Sequence, residues 1–156
     1  QKKVPIKILR VFHTYGPMMN LKDGRVMMDF IKDAINEKEI VIKSKGNQKR
    51  TFCYISDLVE GILIVLLKGK NGQAYNLANK KEYYSISKLA KIISKFTKKN
   101  NVIFKARSKK DTYLISPFNN VYPSIEKIKK LGFNPKVNVK SGFKRTIDYY
   151  KSLKSN

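Results

Sequence analysis

An apolar-rich run from Lys7 to Phe12 (KILRVF) ends at Tyr15-Gly16-Pro17, the pattern of a strand running into a turn. The spacing then changes: Val26, Met27, Phe30, Ile31, Ala34 and Ile35 fall on one face of a helix predicted over Val26 to Glu37. Glu39 to Lys43 reads as a short strand, Gly46-Asn47-Gln48 as a turn, and Thr51 to Ile55 as a second strand. Ser56 or Asp57 can cap the next helix by accepting from its free backbone N–H groups. That helix, Leu58 to Leu67, is apolar almost all round, which predicts burial between two layers. Beyond a loop at Gly69 to Gly72, Ala74 to Ala78 reads as a strand. Ser85 then caps a helix with Ile86, Leu89, Ala90, Ile92, Ile93 and Phe96 along one side. Val102 to Lys105 is a short strand, and Arg107 to Pro123 shows no regular period. Two helices close the chain, Ile125 to Leu131 and Lys140 to Leu153, with Gly132 as a left-handed stop after the first. Strands alternate with helices, so the chain is α/β. No internal repeat or low-complexity linker interrupts it.

At 156 residues the chain suits one domain with a modest core. Its longest apolar run, Gly61 to Leu67, falls short of the roughly 18 residues a membrane-spanning helix needs. The start, Gln1 to Pro5, is basic but leads into no hydrophobic segment of signal-peptide length. A single cysteine, Cys53, rules out an intramolecular disulfide and a cysteine-rich metal site, and one histidine cannot build a His-rich one. No metal is therefore expected, and a reducing, cytoplasmic setting is.

The net charge of +23 raises the question of a nucleic-acid partner. The cations are nearly all lysines scattered along the chain. Arginine, the usual base-reading side chain, occurs only at positions 10, 25, 50, 107 and 145. The charge thus fits a lysine-rich surface better than a nucleic-acid interface, which stays as an alternative function. A non-catalytic remnant packed against a partner is the other.

Several segments carry more in their spelling than in their period. Arg10-Val11-Phe12-His13-Thr14-Tyr15-Gly16-Pro17 resembles the R-x-F-N-x-Y-G-P segment of extended short-chain dehydrogenase/reductases that act on nucleotide sugars. Asp23-Gly24-Arg25-Val26, followed by Asp29-Phe30-Ile31, resembles the D-G-R-V-x-x-x-F-I run of UDP-glucuronate decarboxylases and their relatives. The stretch from Gly46 to Leu58 (GNQKRTFCYISDL) is similar to G-x-Q-x-R-x-F-x-Y-V-x-D-L. Ala74 to Asn79 is similar to a Y-N-L-G-N strand, and Lys130 to Lys136 to an L-G-W-x-P-K segment. All five occur in the family's order and together cover essentially the whole chain.

The resemblance implies the C-terminal part of a Rossmann-type fold. Lys7 to Phe12 and Ala74 to Ala78 would be late strands of its sheet. The hairpin around Gly46, the strand at 102–105 and the last helices would form the small substrate-binding lobe. It also implies NAD as cofactor and a nucleotide-diphospho-sugar as substrate, oxidised transiently at C4 before epimerisation, dehydration or decarboxylation, as in surface-polysaccharide synthesis. A diphosphate needs fixed positive charge, and a guanidinium fork matches its oxygens as an ammonium cannot. The family's arginine for that contact falls at Arg50. Thr14, Asn20 and Arg25 fall where decarboxylase-like members reach NAD.

Three positions depart from the family pattern. His13 replaces an asparagine that lies near sugar and phosphate, and Met18 stands where many relatives have arginine. Aligned through Ser116-Pro117 and Lys127-Ile128, Asn120 takes the place of a second diphosphate arginine, with Ser124 in place of a frequent aspartate. Losing that arginine would remove a charge-assisted bond worth about 1.5–3 kcal/mol.

The family's chemistry needs a Tyr-x-x-x-Lys pair and a Gly-rich phosphate loop, both upstream of the R-x-F-N segment. No G-x-x-G-x-x-G occurs in these residues. Tyr84 to Lys88 and Tyr150 to Lys154 fit the short Tyr-x-x-x-Lys string, but family members place no catalytic group at either position. The expectation is therefore residues 1–156 as one substrate-binding portion, without catalytic residues of its own and inactive alone. The NAD-binding half would be a missing partner: this chain would be a proteolytic product or one piece of a split gene. Sheet surface meant for that half would invite self-association into a homo-oligomer.

Overall fold

The computed structural model describes residues 4–106 and 118–154. In chain order these form strands β1 (Ile8–Val11) and β2 (Thr14–Tyr15), helix α1 (Val26–Ile35), strands β3 (Ile40–Ile42), β4 (Lys49–Thr51) and β5 (Cys53–Tyr54), and helix α2 (Ile55–Lys68). Strands β6 (Ala74–Leu77) and β7 (Tyr83–Ser85), helix α3 (Ile86–Ser94), strand β8 (Val102–Phe104), and helices α4 (Glu126–Lys129) and α5 (Val139–Ser152) follow. Residues 107–117 of the aperiodic stretch, including the Ser116-Pro117 used to align Asn120, lie outside the described residues.

Among the described residues three of the four strand pairs are parallel: β1 with β6 (Ile8 opposite Ala74), β2 with β5 (Thr14 opposite Cys53), and β3 with β8 (Ile40 opposite Val102). The fourth, β4 with β7, is antiparallel and sets Arg50 opposite Tyr84. The turn at 46–48 is therefore not a hairpin, because β3 and β4 leave it for different partners. The predicted Thr51 to Ile55 strand is divided: β4 and β5 sit on either side of Phe52 and pair with different strands.

Two apolar cores result. The larger gathers Met27, Phe30 and Ile31 of α1, Ile40 and Ile42 of β3, Leu89 and Ile93 of α3, and Phe143 and Ile147 of α5. The helical spacing read for α1 and α3 is realised there, and Ser85 caps α3 by accepting from the Lys88 N–H at 3.1 Å. The smaller core joins Val65 of α2 to Tyr75 and Leu77 of β6 and to Ile125, Ile128 and Phe133 around α4. Gly61 permits it: a Cβ there would crowd the Leu77 side chain and meet the Phe133 ring at 3.2 Å. Gly132 ends α4 at φ +102°, the left-handed region its position predicts.

Helix α2 departs from expectation twice. It begins at Ile55, a turn early, with no side-chain cap at Tyr54. Asp57 is buried instead and accepts from the Lys136 and Val137 N–H groups at 3.2 and 3.0 Å. Nor is α2 covered on both sides within the described residues: Leu63, Leu66 and Leu67 are 51%, 60% and 78% exposed. Neighbouring β1 shares this condition. The Ile8 and Phe12 N–H groups donate to the Gln73 and Leu77 carbonyls of the β6 side. By parallel-sheet alternation, the N–H groups of Leu9 and Val11 then face the open edge.

Candidate functional site

The candidate site forms where the chain leaves β6 at the carboxyl end of β1 and crosses to β5. The Phe12 N–H still donates to Leu77, but one residue later the His13 carbonyl accepts from Cys53 at 2.9 Å. His13 and Thr14 sit at that switch, half-buried. The His13 ring meets Phe52 edge-on, with centroids 6.1 Å apart. Ring burial, then the positive charges of Arg50 and Arg25, push His13 down to about 4, so the imidazole is neutral near pH 7.

Arg50 lies on the central residue of β4 and is 4% exposed. Its guanidinium donates to three backbone carbonyls: Lys49 and Asn119 at 2.8 Å each from Nη1, and Phe118 at 2.6 Å from Nη2. Burial pulls its pKa down, and no carboxylate pairs with it among the described residues. The segment it holds runs beside β4: Lys49 donates to the Asn119 carbonyl, and Val121 donates back to that of Lys49. Asn120 belongs to this strap, its Oδ1 accepting from the Lys49 N–H at 3.2 Å. Arg50 thus lies on β4 and Asn120 on the strap beside it, where Asn120 is exposed.

The other three predicted positions lie on the β2–α1 connection. Arg25 precedes α1 and is tied down from both sides: Nε reaches Asp23 Oδ2 at 2.6 Å, Nη2 pairs with the same carboxylate, and Nη1 donates to the Thr14 carbonyl at 3.3 Å. Thr14 Oγ1 donates to the Phe12 carbonyl at 2.9 Å. Exposed Asn20 organises a turn, its Oδ1 accepting from the Lys22 N–H at 2.9 Å. Tyr15 is core: it is fully buried and stacks on Phe143 with centroids 3.9 Å apart. Burial and Glu82 push its phenol far above the usual tyrosine range.

In neither Tyr-x-x-x-Lys string is the tyrosine shifted the way a base would need. Such a tyrosine needs its pKa brought down toward neutrality. Burial, with Glu82, moves Tyr84 upward, and Lys88 rests over its ring at 4.7 Å. Tyr150 is also moved upward by burial, and its hydroxyl donates to the Met19 carbonyl at 2.6 Å. Sequence reading missed the strap's attachment to β4, and also β7, whose Tyr83 packs on Tyr122 with centroids 4.7 Å apart. The adjacent aromatics Tyr83 and Tyr84 ahead of the Ser85 cap were the available signal for β7.

Residues 1–78 match the profile of a family described as NAD dependent epimerase/dehydratase. UDP-glucuronic acid decarboxylase 6 of Arabidopsis thaliana is 36% identical over 143 residues, covering 91% of this chain and 40% of that protein. UDP-glucuronic acid decarboxylase 1 of Xenopus tropicalis is 33% identical over 153 residues, covering 97% of this chain and 34% of that protein. The structure of UDP-glucuronic acid 4-epimerase from Bacillus cereus in complex with UDP-glucuronic acid and NAD matches with a TM-score of 0.77 at 28% identity, over 96% of this chain and 46% of that one. The chain spans less than half the length of each of these relatives.

Proposed function

Because the chain belongs to the NAD-dependent epimerase/dehydratase family and has the Rossmann-type fold of extended short-chain dehydrogenase/reductases, we propose that it is the nucleotide-sugar-binding part of such an enzyme. The enzyme would oxidise C4 of a nucleotide-diphospho-sugar transiently, using NAD. The carrying observation is Arg50. A buried guanidinium without a carboxylate is costly unless an anion completes its surroundings. Three of its five N–H donors serve backbone carbonyls, two on the strap and that of Lys49 on β4, which leaves Nε and one Nη2 hydrogen for diphosphate oxygens. Asn120 on the strap and His13 at the end of β1 would border the same ligand.

NAD would lie along the β2–α1 connection. Thr14, Asn20 and Arg25 supply polar groups there, and the Asp23 pair fixes the direction of the Arg25 guanidinium. That set suits hydrogen bonds to the cofactor better than neutralisation of its pyrophosphate, because Asp23 cancels the Arg25 charge. The pyrophosphate would belong to a Gly-rich loop on the family's other half. This half would also add strands at the β1 edge and cover the apolar side of α2, since parallel sheets are buried on both faces. Without it, we expect no turnover of a nucleotide sugar and no reduction of NAD.

Calorimetric titration of the chain with UDP tests the reading. Wild-type binding should weaken by about tenfold or more in Arg50→Ala, the loss of a charge-assisted bond. Arg50→Lys should recover little of it, since an ammonium lacks the fork. Equal UDP affinity in a folded Arg50→Ala variant, or turnover by the chain alone, would sink the proposal.

A further inference from the structure

Helices α1, α3 and α5 share more than a core: their last turns meet, and lysines gather where they end. Glu37, two residues past α1, ties the ends together. Its carboxylate accepts from the Lys98 N–H beyond α3 at 2.7 Å and pairs with Lys151 in the last turn of α5. Lys151 also donates to the Phe96 carbonyl at 3.4 Å, and Lys154 to Asn36 Oδ1 at 2.5 Å. We propose that this lysine-rich end is a docking surface for an anionic lipid bilayer.

Six lysines stand there: Lys38 after α1, Lys95, Lys98 and Lys99 at and beyond the end of α3, and Lys151 and Lys154 at the end of α5. All but Lys151 are exposed. The nearby acids are fewer and already engaged. Besides Glu37, Glu39 accepts from Asn101 Nδ2 at 3.1 Å, and Asp33, a turn back on α1, accepts from the Val41 N–H at 3.2 Å. Each helix end carries about half a negative charge, which a single cation offsets. Three helix ends therefore account for only part of the cluster, and the excess faces solvent as a positive field.

Charge alone suits a nucleic acid as well as a membrane, and the side chains decide between them. The described arginines lie elsewhere: Arg10 on β1, Arg25 ahead of α1, Arg50 on β4, and Arg145 over the Tyr54 ring at 6.0 Å. The planar fork that clamps nucleic-acid phosphates and bases is thus missing from this end. Single strands need aromatic platforms. Here Phe96, Tyr149 and Tyr150 are half-buried, and the two tyrosine rings pack on each other with centroids 5.2 Å apart. What stands exposed beside the lysines is aliphatic: Leu153, 57% exposed, next to Lys154. Lysines around an apolar side chain combine the two attractions that hold peripheral proteins at acidic bilayers, each lysine near the surface strengthening binding about fivefold.

Docking at this end leaves the candidate site clear. Helix α1 carries the chain about 15 Å from Arg25 to Asn36, and α3 about 14 Å from β7, the partner strand of Arg50, to Lys95. A bilayer seated on the lysines would therefore approach neither arginine closely. Because the charges are exposed, the attraction should fade with salt, which screens beyond about 8–10 Å near physiological ionic strength.

The test is co-sedimentation of the full 156-residue chain with vesicles of phosphatidylcholine alone or mixed with phosphatidylserine. Binding is expected on the mixed vesicles only, falling steeply as salt is added. The triple variant Lys95→Gln/Lys98→Gln/Lys99→Gln should weaken it about a hundredfold, three lysines at about fivefold each. Removing the same charge around α4, with Lys127→Gln/Lys129→Gln/Lys130→Gln, should cost less than about fivefold. Circular dichroism checks that both variants fold. If the α3 variant does not, Lys38→Gln/Lys154→Gln replaces it, with a loss of about twentyfold expected. Equal losses at the two ends would mean diffuse charge and overturn the proposal. Equal binding to neutral vesicles would also overturn it, since apolar surface would then carry the contact. So would tighter binding to duplex DNA at equal phosphate concentration, lost in the same lysine variant, which would make this end a nucleic-acid surface.

Discussion

The two cores of this molecule are finished to different degrees. Around Phe143, residues of helices α1, α3 and α5 share one core with Tyr15 and Phe52, and Phe143 has no exposed surface. Around Leu77, by contrast, α2 covers one face of a two-stranded parallel sheet and turns Val59, Leu63, Leu66 and Leu67 outward. Both regions are spelled with the same apolar residues. Hydrophobic patterning records the burial a segment has in its complete setting, so an apolar face without a cover marks a surface made for something else. Under the function proposed above, that something would be the family's other half.

The largest effect should come from the finished side. Phe143→Ala would remove a ring stacked on Tyr15 at 3.9 Å and set edge-on to Phe52 at 6.3 Å. A cost of about 3–5 kcal/mol is expected in denaturant unfolding, a large share of a domain's usual stability. A loss below about 1 kcal/mol would mean that the α-helical lobe does not dominate stability, and the contrast between the regions would collapse.

A middle effect is expected at the bolt between them. Asp57 reaches from the first turn of α2 to the Lys136 and Val137 N–H groups, just ahead of α5. Asp57→Ala would leave those donors without their carboxylate, at about 1–3 kcal/mol. Hydrogen exchange at the Lys136 and Val137 amides should quicken while that of α1 barely changes. Unchanged exchange at both amides would show that the regions are not joined there.

Much of this was legible in the residues. The apolar spacing of α1 and α3, the Ser85 cap and the Gly132 stop depend on neighbours within a few positions, and each stands where expected. The motif spelling around Arg10 to Pro17 and Gly46 to Leu58 also draws attention to Arg25, which reaches the Thr14 carbonyl, and to His13, on which the charges of Arg50 and Arg25 act. What was not legible depends on distant partners. The turn at 46–48 looked like a hairpin because nothing local says that β3 will pair with β8 and β4 with β7. Asp57 looked like a cap because a sequence shows an acceptor but not the donor it will meet, 79 residues away. The spelling marks Arg50 as a candidate ligand, but its hold on the carbonyls of Phe118 and Asn119 requires knowing where the strap returns.

The smallest stability effect should come from the unfinished side, and it is the most informative. Leu63 and Leu66 on α2 are 51% and 60% exposed, so replacing both with lysine removes little packing within this chain. A change within about 0.5 kcal/mol is expected, the usual range for surface substitutions. The same double variant should lower the average mass seen in sedimentation if the wild-type chain self-associates through this face. It should also abolish capture of the family's other half when the two are produced together, because two charges would be buried where apolar surface is required. A cost above about 2 kcal/mol would instead mean that these leucines are packed within the isolated chain. In that case α2 would be a covered helix after all, and its apolar circumference would need no partner to explain it.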